Sequence, residues 1–168
     1  MTMISFSEEI ANLYFTKKGY FVKRNLQYLG KTSEEKAHGG NIDIDLVAYK
    51  GNELNIVSCK RGSLDDKELK KELRLFGQAK EEVLRRFPWI KTRIKTKLKY
   101  IYFGEYISEK NKKFFDENNI TSISILEAIN EILSILREEM GPKKYDGKET
   151  EILPRILKFL IKKDRIKF

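Results

Sequence analysis

The clearest pattern of apolar and polar positions lies between residues 41 and 60. Two runs rich in apolar and β-branched residues, 41–49 and 53–60, flank a glycine-containing turn at 50–52. Strands favour β-branched and aromatic residues, and a short turn with glycine commonly joins two antiparallel neighbours. The pattern therefore predicts a β-hairpin.

Polar side chains interrupt the two runs near the open end of this hairpin: Asp43, Asp45, Ser58 and Lys60. Because side chains alternate between the faces of a strand, the two aspartates are predicted to share one face of the first strand. The serine and the lysine are predicted to share one face of the second strand. Carboxylates hold Mg²⁺, and an ammonium group orients or deprotonates water or neutralises phosphate charge. The group is typical of a metal-dependent phosphodiesterase. The alternative interpretation is a solvated strand end with scattered charges.

Hydrophobic periodicity predicts the elements around the hairpin. A first helix, capped by Ser5 or Ser7, is expected to end near Lys18. Further helices are predicted at 66–87, 109–118, 126–140 and 152–163, and strands at 20–29, 97–103 and 120–125. The strand at 97–103 is apolar on both faces after Leu98, so it is expected inside the sheet. This order predicts an α/β fold with a single mixed β-sheet flanked by helices.

The helix at 66–87 carries an apolar stripe that predicts its buried face. The stripe consists of Leu69, Leu73, Phe76, Ala79 or Lys80, Val83 and Phe87. Glu72 lies beside this stripe, one turn from both Leu69 and Phe76, a position compatible with reaching towards the hairpin.

Length and charge bound the class of protein. A chain of 168 residues can form one domain with a real hydrophobic core. Its net charge of +9 and pI near 9.4 indicate a polyanionic partner. Nucleic acid is favoured over a membrane, because no segment approaches roughly 18 uninterrupted apolar residues. The N-terminus lacks a secretory signal pattern, so the expected location is cytoplasmic. The abundance of Ile, Lys and Glu suggests a thermophilic source.

The chain offers little sulfur or imidazole chemistry. Cys59 is its one cysteine, which excludes an intrachain disulfide framework and a cysteine-rich metal site. His38 is its one histidine, which excludes a two-histidine zinc site. Chemistry must therefore use carboxylates, lysine and hydroxyl groups.

Three segments resemble the PD-(D/E)xK nuclease superfamily, in particular archaeal Holliday-junction resolvases and Mrr-type nucleases. Glu8 precedes a Gly-Tyr pair at 19–20, as the first-helix glutamate of that family does. Asp45 opens an Asp-Leu-Val-Ala segment like the one that carries the family's metal-binding aspartate. Lys60 follows fifteen positions later, at the place of the lysine in the family's acid-x-Lys pair.

The resemblance implies a restriction-endonuclease-like fold with an αβββαβ core and a C-terminal helical extension. Residues 1–140 would form the nuclease-like domain, and the basic loop and helix at 141–168 would pack on it or at a homodimer interface. The implied function is DNA endonuclease activity that depends on Mg²⁺ or Mn²⁺. The implied catalytic residues are Asp45, Lys60, Glu8 and Ser58, and the implied metal ligands are Asp45, Glu8, Asp43 and Glu72.

Ser58 departs from the pattern, because the family usually has an acid at this position. A neutral hydroxyl is a weaker ligand than a carboxylate for a hard cation. Asp43 could supply the missing charge, or Glu68 or Glu72 could reach in from the following helix. A subset of restriction endonucleases has such a serine on the strand and a displaced glutamate on the next helix. The alternative is a weakened or inactive nuclease-fold subunit that binds DNA.

Basic residues outside the hairpin predict a surface for duplex or branched DNA. In the segment before the strand at 97–103, cations alternate with other residues, which would place them on one face of an extended chain. The predicted contacts to nucleic acid are Lys91, Arg93, Lys95, Lys97, Arg61 and His38. Such contacts to phosphates give salt-dependent binding without base specificity. The alternative is an edge strand that lysines protect from aggregation.

Overall fold

The fold follows the predicted order of elements. A computed structural model of the chain describes residues 5–29, 41–88 and 97–140, together with Pro154. The elements are α1 (Phe6–Lys17), β1 (Phe21–Leu29), β2 (Asn41–Lys50), β3 (Glu53–Lys60), α2 (Asp66–Arg86), β4 (Lys97–Gly104), α3 (Glu109–Glu117), β5 (Ile120–Ser124) and α4 (Ile125–Met140). Apart from Pro154, the predicted helix at 152–163 and the basic C-terminal segment lie outside the described residues.

One five-stranded sheet, in the order β1-β2-β3-β4-β5, organises the described residues. β1, β2 and β3 pair antiparallel, whereas β3, β4 and β5 pair parallel. The predicted α/β fold with a single mixed sheet is therefore confirmed. β4 has a neighbour on each side, as its apolar sequence predicted.

Two hydrophobic cores cover the two faces of the sheet. α1 and α4 pack on one face, where the core includes Cys59 and Phe103. α2 and α3 pack on the other, where the core includes Ile56 and Tyr102. Burial of a large apolar side chain contributes about 1.5–3 kcal/mol, so both layers hold the sheet in place. None of the described helices is long and apolar enough to cross a membrane.

Side-chain caps fix where α1 and α2 begin. Of the two serines predicted to cap α1, Ser5 is the N-cap and accepts a hydrogen bond from the Glu8 amide. Asp65 caps α2, and its side chain and that of Glu68 form a reciprocal capping box. Gly19 has φ of +81° just after α1, a left-handed conformation that glycine adopts without strain.

The buried face of α2 differs from its predicted stripe by one residue. Leu73 was expected in the core but is 38% exposed, whereas Glu72 is 6% exposed. The helix is rotated so that Leu69, Glu72 and Phe76 face the sheet. A buried carboxylate is costly unless it is paired, so this rotation requires partners for Glu72 on the sheet.

The alternation of faces along β2 is interrupted at Asp45. Leu46 and Ala48 belong to the core under α1 and α4. Ile44, which strict alternation would place beside them, belongs to the core under α2 and α3. The prediction that Asp43 and Asp45 share a face rested on strict alternation, and β2 does not keep it at this point.

The neighbouring strand β1 also changes faces, near Asn25, which lies opposite Asp45. In β1, Val22 packs against the core under α1 and α4, whereas Leu26 belongs to the other core. Arg24 and Leu26 pair with β2 in the same register, but the ladder omits the intervening pair of Asn25 and Asp45. The two strands thus change faces together at one unpaired position.

Candidate active site

A cleft between the sheet and α2 collects the polar residues of the hairpin. Its polar lining consists of Asp43, Asp45, Ser58, Lys60 and Glu72, and its apolar lining includes Phe76 and Ala79. Lys60 is the last residue of β3, and its parallel partner Gly104 ends β4. In open α/β sheets, ligands bind outside the carboxyl ends of parallel strands, which is where this cleft lies.

Glu72 reaches from α2 to both predicted residues of β3. Its Oε2 accepts a hydrogen bond from the Ser58 Oγ at 2.8 Å, and its Oε1 lies 3.2 Å from the Lys60 Nζ. These two contacts satisfy the buried carboxylate and explain the rotation of α2. The structure therefore places an acid from the helix beside the serine that stands where a strand acid was expected.

Asp45 joins β2 to β3 at the point where their ladder ends. The last paired residues are Leu46 and Val57. Beyond them, the Cys59 amide donates a hydrogen bond to the Asp45 Oδ2 at 2.6 Å. A carboxylate side chain thus takes the place of a backbone acceptor, and the strands part on the side where the cleft lies.

The Asp45 carboxylate carries its charge in an unfavourable setting. Burial raises its pKa, as do the nearby Glu8 and Glu72, while Lys60 and the Cys59 amide lower it, and the net result is a pKa of about 6. Carboxylates crowded into a desolvated site gain stability from a cation. Asp45 therefore has the electrostatic character of a residue that binds a cation or a proton.

Lys60 remains an ammonium group in this setting. Burial lowers its pKa, but the Glu72 and Asp45 carboxylates outweigh that effect and raise it overall. Such a lysine does not act as a general base near neutral pH; it supplies positive charge and hydrogen-bond donors. Burial and the Asp45 and Glu8 carboxylates raise the pKa of the Cys59 thiol, so it stays protonated in the core.

Asp43 lines the cleft, whereas Glu8 lies near Asp45 without lining it. Glu8, in the first turn of α1, accepts a hydrogen bond from the Ser5 Oγ at 2.9 Å and is close enough to affect the pKa of Asp45. Asp43 lines the cleft but is exposed. Both acids are near Asp45, and neither replaces Glu72 beside Ser58.

Other predicted residues are not brought to the cleft. Glu68 is exposed, and its side chain accepts from the Asp65 amide in the capping box, so it is not the displaced acid. Lys97 begins β4 opposite Glu53, seven residues or about 23 Å along the strand from Lys60. Arg61 is exposed directly after Lys60. His38, Lys91, Arg93 and Lys95 lie outside the described residues.

The donor atoms of the cleft fit an open site for a hard cation. Across residues 5–29, 41–88 and 97–140, no three His, Cys, Asp or Glu side chains are arranged to hold a metal ion by themselves. Mg²⁺ is usually bound by one or two carboxylates, with water and substrate phosphates completing its shell. Asp45 and Glu72 are two such carboxylates in one cleft, where Glu72 contacts both the Ser58 hydroxyl and Lys60.

Sequence reasoning missed two groups at this site. The Cys59 amide orients Asp45, although the thiol itself is a core residue. Asn25 faces Asp45 across β1 and β2 with φ of +54°. An asparagine inside an otherwise strand-forming run was the available signal, since asparagine adopts left-handed conformations more readily than most residues.

Comparisons with known proteins assign no family to the chain. No family model matches it, and no curated protein matches it. It is similar to a solved structure described as "Protein of Unknown Function AF1548", with 15% identity over 94% of this chain and 95% of that chain and a TM-score of 0.43. Similarity at this level carries no conclusion about activity.

The burial of Asp45 predicts a pH-dependent stability. Because the pKa of about 6 in the folded protein exceeds the ordinary 3.8, the contribution of Asp45 to stability is greatest below pH 3.8, falls as the pH rises to 6 and levels off above it. Asp45→Asn mimics the protonated form. In EDTA at pH 7.5 we expect it to raise the free energy of unfolding by up to about 3 kcal/mol, as measured by urea denaturation.

The exposed Asp43→Asn is the matched control and should change stability by less than about 0.5 kcal/mol. The stability difference between wild type and Asp45→Asn should shrink towards zero below pH 4. An Asp45→Asn protein that is less stable than wild type at pH 7.5 would contradict this assignment of the charge.

Proposed function

We propose that the protein is a Mg²⁺-dependent DNA endonuclease of the PD-(D/E)xK type, with Asp45, Glu72 and Lys60 at its centre. One observation carries the proposal: Glu72 of α2 contacts both Ser58 and Lys60 in the cleft that Asp45 lines. This arrangement puts an acid beside the serine that stands where the strand acid of the family is expected, and beside the lysine that follows it.

Asp45 and Glu72 are the residues that would hold the cation, and Glu8 lies near enough to contribute charge. The chemistry that a bound divalent cation supplies is polarisation of the phosphate and activation of water at neutral pH. The Cys59 amide holds one oxygen of Asp45, which fixes the direction of this carboxylate. The Ser58 hydroxyl does the same for Glu72.

Lys60 is the charged partner of the scissile phosphate in this proposal. Its ammonium group is partly exposed at the end of β3 and bonded on one side to Glu72. Because its pKa is raised, it acts as a cation that stabilises developing negative charge and orients water. Removing that charge should affect the rate of cleavage more than the binding of DNA.

The net charge of the chain supports a polyanionic substrate. An excess of nine positive charges favours binding to phosphates, with an affinity that falls as salt is added. Arg61 extends the positive charge of Lys60 along the same edge of the sheet. DNA, duplex or branched, is the substrate class that this charge and the resemblance favour together.

A second candidate is a DNA-binding subunit without nuclease activity. The observation in its favour is that both oxygens of Glu72 already have protein partners. If Ser58 and Lys60 held Glu72 permanently, Asp45 alone would not anchor a cation well. This candidate predicts salt-sensitive DNA binding and no cleavage with any divalent cation.

Cleavage of labelled DNA tests the proposal. Duplex, single-stranded and four-way-junction DNA would be incubated with Mg²⁺ or Mn²⁺. We expect cleavage by the wild type and losses of at least about 100-fold for Asp45→Ala, Glu72→Gln and Lys60→Ala, since each removes charge at the reacting phosphate. Glu68→Gln is the matched control on α2 and should retain activity within about threefold.

Folding of each variant is checked by circular dichroism and its melting temperature. Full activity in folded Asp45→Ala and Lys60→Ala proteins would refute the nuclease site. Binding of all three DNAs without cleavage by the wild type would favour the DNA-binding subunit.

Exchanging the acid and the serine tests the role of Glu72 directly. Glu72→Ser alone is expected to be inactive. Adding Ser58→Glu returns an acid to the strand beside Lys60, so the double variant should be at least about tenfold more active than Glu72→Ser. Adding Ser58→Gln instead is the matched control and should restore nothing. A folded double variant no more active than Glu72→Ser would contradict the displaced-acid role.

A further inference from the structure

We propose that Asn25, on the edge strand β1, is a positioning residue that sets the orientation of Asp45 through the left-handed conformation of its backbone. Asn25 itself is exposed and does not line the cleft. Its importance for catalysis rests on the proposed function, whereas its effect on the geometry of Asp45 does not.

The first observation is the backbone of Asn25. Its φ of +54° lies in the left-handed region, although it stands within β1. Extended residues on either side require ordinary negative φ, so this residue locally breaks the strand. Asparagine tolerates this conformation, and glycine adopts it freely, whereas β-branched residues strongly disfavour it.

The second observation is that the break lies opposite Asp45. β1 and β2 keep one register through Arg24 paired with Leu46 and again through Leu26 paired with Ile44. The pair between them, Asn25 and Asp45, is missing from the ladder. No residue is inserted or deleted between these pairs, so the register is kept. What changes is the face of the sheet to which the side chains point.

The third observation is the change of faces that both strands make there. Leu26 and Ile44 lie in the core under α2 and α3. Leu46, two residues after Ile44, lies in the core under α1 and α4, and Val22, four residues before Leu26, packs against that core. With a regular extended backbone at residue 25, β1 would continue its alternation of faces, and the paired strand β2 would do the same. Asp45 would then point along the regular pleat instead of towards the Cys59 amide.

These observations together give a mechanism. The left-handed residue in β1 frees Asp45 from its cross-strand pair, and β2 turns at that point. The freed carboxylate accepts the Cys59 amide hydrogen bond at 2.6 Å and stays at the mouth of the cleft with Lys60 and Glu72. Asn25 thus acts through Asp45 and contacts neither the cation nor the substrate.

Four variants of the full chain separate positioning from simple destabilisation. Asn25→Gly keeps the left-handed backbone, and Asn25→Val opposes it. Asn119 has φ of +56°, is also exposed, and lies in the turn between α3 and β5. Asn119→Gly and Asn119→Val are therefore matched controls that impose the same backbone cost away from the cleft.

Two readouts follow the site. Mn²⁺ affinity is measured by calorimetry, and hydrogen exchange of the Cys59 amide is measured by NMR relative to that of Ile101 in β4. We expect Asn25→Val to weaken Mn²⁺ binding at least about tenfold, as loss of supporting contacts around a metal site does, and to speed Cys59 exchange about tenfold. Asn25→Gly and both Asn119 variants should match the wild type in both readouts.

Equal Mn²⁺ affinity and equal Cys59 protection in Asn25→Val and Asn119→Val would overturn the proposal. Loss of both properties in Asn25→Gly would also overturn it, because the side chain and not the backbone would then be responsible. If Asn25→Val does not fold, Asn25→Ala takes its place, with the same directions expected. If the wild type binds no Mn²⁺, the proposed function fails and Cys59 exchange alone decides the role of Asn25.

Discussion

The hydrogen bond from the Cys59 amide to the Asp45 carboxylate is the interaction on which the site depends. It joins β2 to β3 where their backbone ladder has ended, so the strands stay together while the cleft opens between them and α2. A buried amide left without an acceptor would cost about 1–3 kcal/mol. The same contact that satisfies the backbone therefore fixes the direction of the Asp45 carboxylate in the cleft.

Two buried carboxylates make this region electrostatically expensive. Burial raises the pKa of Asp45. Glu72 lies in the apolar face of α2, where a hydrophobic residue would pack without the cost of desolvating a charge. Lys60 offsets part of that cost for both acids. Such an arrangement lowers stability and is typical of sites where a function outweighs it. A cation between the acids would relieve the remaining repulsion, which is the physical basis of the proposed function.

The sequence predicted the order of elements because apolar periodicity and caps are local signals. It also singled out Glu72 as one candidate for the displaced acid. It placed Leu73 in the core as a member of the apolar stripe, with Glu72 beside that stripe. Only the partners of Glu72 on β3 decide which of these two neighbouring residues is buried. The change of faces at Asp45 was unpredictable from alternation; it coincides with a left-handed residue, Asn25, in another strand. The sequence left open whether Lys60 orients water, deprotonates water or neutralises phosphate charge, because that choice depends on the neighbours that set its pKa.

The central claim is that Asp45 and Glu72 together bind a divalent cation. Crystals grown with Mn²⁺ and a short DNA duplex, measured at a wavelength that gives an anomalous signal from manganese, test it most directly. We expect one anomalous peak about 2.2 Å from an Asp45 oxygen, with Glu72 in the same coordination shell directly or through water. A map with no peak in the cleft, and with Glu72 still bonded to both Ser58 and Lys60, would contradict it.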